Sequence, residues 1–169
     1  MGSLGELLAA GEQQTLDFFV VRLKDVSEPT VDHHELLYNA SVLAHYALVS
    51  TRSTTDLATP ATLSDVFDHF VCDTSLRHDG EMMEAAGAQC LLLAGFFEDQ
   101  MRGRHNIRWY AQLGASFFSQ AAAHVRSPQR VRLLTAIAAG FEAWRQRQAR
   151  LSRELSDQPY LLKIGRAHV

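Results

Sequence analysis

The residues best suited to chemistry fall into two runs of histidines and carboxylates. One is Asp32, His33, His34 and Glu35; the other is Asp68, His69, Asp73, His78, Glu81 and Glu84. Imidazole and carboxylate groups ligate divalent metals, and either can act as a general acid or base. His69 and Asp73 stand four residues apart, and Glu81 and Glu84 three, so each pair shares one face of a helix. A bundle that joined these helices would focus several of His33, His34, His69, Asp73, His78, Glu81 and Glu84 on one metal. These seven are the candidate metal set. The spacing stops short of a known motif, however. Carboxylate-bridged di-iron bundles repeat Glu-x-x-His on two helices, and that sequence occurs nowhere here. His34-Glu35-Leu36-Leu37-Tyr38 carries Tyr where a zinc-protease helix needs its second His. The plainer reading makes most of these residues helix caps, first-turn acids and solvated faces.

A second candidate group is Arg102, Arg104, His105 and Arg108, around a helix junction. Together with the N-terminus of the following helix they would hold an anionic ligand. Arg102 and Arg104 are equally well explained as cations closing the preceding helix. Glu84 and Gln89 interrupt an apolar run, where a buried carboxylate would be shifted toward its neutral form. Helix rotation places Glu84 at an edge instead. His45, among Val42, Leu43, Ala44 and Tyr46, reads as a core or boundary histidine. No phosphate-binding glycine loop, nucleophile elbow or Cys-x-x-Cys is present. The expectation is no cofactor, with a divalent metal as the alternative.

Nearly all the elements that must position these residues read as helices. Leu4, Leu7, Leu8, Gly11, Thr15, Phe18 and Phe19 repeat with helical period, and Val26-Ser27-Glu28-Pro29 ends that stretch in a loop. Thr30 or Asp32 opens a second helix, with Glu35 three residues after Asp32 in a capping-box arrangement. That helix is apolar nearly all round from Ala40 to about Ser50, which predicts a central position. A polar loop from Arg52 to Ala61 leads to a third helix at Thr62, striped by Leu63, Val66, Phe67, Phe70 and Val71. The fourth runs from Asp79-Gly80 to about Arg102, with Gly103 at its C′ position. The fifth spans Asn106 to about His124. Ser127-Pro128 caps and starts a sixth that continues to about Leu155. Small residues on the fourth helix, including Gly87 and Gly95, predict close helix packing.

Composition agrees with one helical domain. The chain has 169 residues, 47% apolar and 21% charged, which argues against disorder. Its net charge of −3 gives no general attraction to nucleic acid. Met1–Gly11 lacks the basic and apolar regions of a secretory signal. The run Met82–Phe97 contains Glu84 and is shorter than the roughly 20 residues of a membrane span. Cys72 and Cys90 read as buried reduced thiols of a cytoplasmic protein, a disulfide between them being the other arrangement the sequence allows. The Asn39-Ala40-Ser41 sequon is then fortuitous.

Charge is segregated along the chain. Asp56 to Asp99 holds nine acids against Arg77 alone, whereas Arg126 to Leu155 holds seven arginines against Glu142 and Glu154. Either the two stretches offset each other within the fold or across a dimer, or the basic helix meets phosphate or an acidic partner. The aromatic and glycine-loop features of a nucleic-acid face are missing.

Ala94-Gly95-Phe96-Phe97, Arg104, Trp109-Tyr110, Leu113-Gly114 and Phe117-Phe118 together resemble a pattern of small bacterial all-helical proteins, across about 25 residues. The resemblance implies a helical fold and brings no activity with it. Ile164-Gly165-Arg166-Ala167-His168-Val169 resembles a translated sequencing adapter, which predicts a non-native tail and sets His168 aside as a ligand. The expectation is an all-α, single-domain bundle of about six helices over residues 1–163, most neighbours antiparallel. It would be a non-enzymatic binding or regulatory module, meeting a protein partner or a second copy of itself. The competing expectation is a metal- or small-ligand-dependent helical enzyme using the His and carboxylate cluster.

Overall fold

The computed structural model describes residues 2–52, 80–103 and 106–157. Among them every regular element is helical: α1 (Gly2–Asp25), α2 (His33–Arg52), α3 (Gly80–Leu91), a π-helical turn (Leu92–Phe96), α4 (Glu98–Met101), α5 (Ile107–His124), α6 (Pro128–Ala139) and α7 (Phe141–Asp157). The helix expected from Thr62 and the tail Ile164–Val169 lie outside the described residues. The chain is all-α, and it divides into two compact units. One unit takes residues 1–58 and 150–169, the other residues 59–149. The α7 helix therefore contributes its first half, to Ala149, to the second unit and its remainder to the first.

In the first unit α1 packs against α2. The turn between them closes when the Val26 amide bonds the Leu23 carbonyl and the Ser27 hydroxyl donates to that same oxygen at 2.6 Å. Asp32 caps α2 as its sequence position predicts, accepting the Glu35 amide at 3.0 Å. Leu36, Asn39, Ala40, Leu43 and Ala44 are buried, which is the i, i+3, i+4, i+7, i+8 stripe of a one-faced helix. The expectation of an all-round apolar α2 is thus corrected, and with it the placing of His45. Its ring is exposed, because it lies on the side away from that stripe. Asn39 is wholly buried and donates to the Glu35 carbonyl at 2.9 Å, so the sequon asparagine has no room for a glycan in the folded chain.

In the second unit α3 packs against α5, and α6 packs on α5. Gly114 makes this approach possible. A Cβ there would stand 2.5 Å from Phe141 Cζ and 2.7 Å from Cys90 Cβ. Phe118, Leu91, Leu93, Leu134, Ile137, Phe141 and Trp144 are buried. Caps fall where the sequence places them. Asn106 accepts the Trp109 amide at 3.1 Å, Ser127 accepts the Arg130 amide at 3.4 Å, and Pro128 follows at the first helical position. Gly103 has φ +85°, the left-handed conformation of a residue past a helix end.

Two helices are interrupted where the sequence predicts continuity. The one expected from Asp79-Gly80 to Arg102 widens into the π turn after Leu91, with the Phe97 amide bonding the Leu92 carbonyl at 2.9 Å. The one expected from Ser127 to Leu155 breaks at Gly140, with φ −95° and ψ 15°. Glycine is among the weakest helix formers, so the break falls where the chain resists it least. No helix among the described residues is long and apolar enough to cross a membrane.

Candidate functional site

The proposed metal ligands divide by location. His33 and His34 begin α2, both exposed, with ring centroids 6.4 Å apart. Glu81 is exposed in the first turn of α3. Glu84 is half-buried one turn on, and both its carboxylate oxygens accept from Arg130 Nη2, at 2.7 and 2.6 Å. His69, Asp73 and His78 lie outside the described residues, as does Cys72. Among the described residues no group of three or more His, Cys, Asp or Glu is placed to hold a metal. Cys90 is a free thiol, fully buried, and burial raises its pKa well above the usual thiol value.

Of the proposed anion-binding group, Arg104 and His105 lie outside the described residues. Arg102 pairs with Glu98 at 2.5 Å, four residues back on the same helical turn. Arg108 is exposed at the start of α5.

A charge cluster that the sequence does not announce is built around Arg145. Its side chain is 14% exposed, and its guanidinium bonds in three directions. Nη1 donates to the Ala94 carbonyl at 3.2 Å and to Glu98 at 3.3 Å, while Nε and Nη2 donate to the two oxygens of Glu142. The Glu98 side chain is only 13% exposed. These bonds hold the Glu142 carboxyl below the usual carboxylate value and the Arg145 guanidinium above its own, the mutual hydrogen bond being the main cause of each. Beside this cluster Gly95 lies so near α7 that a Cβ would be 3.1 Å from the Arg145 carbonyl oxygen. Glu84–Arg130 and Glu98–Arg145 therefore both tie the acidic stretch of the sequence to the basic one. Sequence shows the Glu142–Arg145 spacing of three, but no local pattern signals partners 47 and 51 residues apart.

The second unusual feature is the outer face of α5. Its exposed residues between Arg108 and His124 are Trp109, Gln112, Ser116, Ser119, Gln120 and Ala123, without a single charge. Trp109 is 39% exposed and stands edge-on to buried Tyr110, with centroids 4.9 Å apart and planes at 75°. The Gln120 amide donates to the Ser116 hydroxyl at 2.9 Å. Sequence periodicity marks Tyr110, Leu113, Phe117 and Ala121 as the inner face but leaves Trp109 beside them unassigned. The absence of lysine and glutamate from the remaining face is the signal that would have drawn attention to it.

No family model, curated protein or solved structure matches the chain. The short bacterial pattern noted above thus brings no activity to it.

Proposed function

We propose that this chain is a non-enzymatic helical binding module of the bacterial cytoplasm, acting by protein–protein contact through the outer face of α5. The observation that carries this reading is Trp109, a large apolar ring at the surface of a charge-free helical strip. Tryptophan and arginine are the residue types that most often anchor protein interfaces, and interface centres are depleted of charge. Arg108, the residue before Trp109, is exposed as well. Contact with Tyr110 restrains the indole before any partner arrives, which lowers the entropy lost on docking. The partly buried carboxylates support the same reading, since Glu84 pairs with Arg130 and Glu98 with Arg145. A free, buried Cys90 accords with a reducing compartment.

A photoreactive phenylalanine derivative at Gln112 tests the reading in living cells. Irradiation is expected to yield a covalent adduct, and Trp109→Ala is expected to suppress it. Failure to form any adduct would overturn the proposal. The competing enzyme reading, built on His33, His34, His69, Asp73, His78, Glu81 and Glu84, is tested by metal analysis of protein purified without chelator. Stoichiometric metal that raises the melting temperature would displace the binding-module reading.

A further inference from the structure

We draw no further inference here: the strongest candidate, the uncharged outer face of α5 around Trp109, belongs to the site already described, and nothing in the structure shows what covers it.

Discussion

Arg145 of α7 donates to the backbone carbonyl of Ala94, 51 residues away and within the π turn, at 3.2 Å. A π turn changes the register of the helical ladder, and an outside donor can serve an acceptor that this displaces. The same guanidinium pairs with Glu98, which is 13% exposed and shares its charge between Arg145 and Arg102. One side chain thus satisfies both a backbone group and a largely buried charge.

Arg145→Ala leaves the Ala94 carbonyl without this donor and Glu98 with Arg102 as its remaining partner. It is expected to lower unfolding free energy by roughly 1–3 kcal/mol, the scale for a buried group left unsatisfied. Arg145→Lys keeps the charge but loses the forked geometry, and should recover less than half of that. Urea denaturation of the three proteins checks the order.

Glu142 should give a pH-dependent contribution whose sign follows from its lowered pKa. A carboxyl more acidic folded than unfolded contributes fully above the unfolded value, about 4.3, and loses that contribution as pH falls through the folded value below it. Its side chain is 61% exposed, so solvent screening keeps the effect under about 1 kcal/mol. Glu142→Gln should therefore destabilise the protein slightly at pH 7, and the difference should shrink toward zero in acid. Thermal melts of both proteins across pH 2–7 would show the convergence; a constant gap would contradict it.

Gly114→Ala inserts a methyl group where Phe141 and Cys90 already stand. The expected loss is roughly 2–3 kcal/mol, from displacing an aromatic ring in a packed core. If the loss arises this way, Phe141→Leu should relieve part of it when combined, and a double-mutant cycle measures that coupling.

Cys90 should resist thiol reagents in the native state, since it is buried and its pKa is raised. Its labelling rate should rise steeply only as denaturant unfolds the chain. Mass spectrometry of alkylated peptides reads this directly, and rapid native labelling of Cys90 would contradict the burial.

The sequence by itself determined the helical class and most helix starts. Asp32, Asn106 and Ser127-Pro128 act through bonds spanning three residues, so their effect is local and readable in order. Gly103 was legible for the same reason. Interruptions were not. The π turn at Leu92–Phe96 and the break at Gly140 occur within patterns that locally favour unbroken helix. Along the turn, Gly95 lets α7 pass near and Arg145 bonds the Ala94 carbonyl, both contacts from a distant stretch of chain. His45 was misplaced because apolar neighbours on both sides conceal which face is inward until α2 has something to pack against. Segregated charge was visible as composition, but only tertiary packing chose Arg130 for Glu84 and Arg145 for Glu98. Hydrogen-bonded caps are decided within a turn of chain, whereas ion pairs and the exposure of Trp109 depend on which helix faces meet, and spacing along one helix does not encode that.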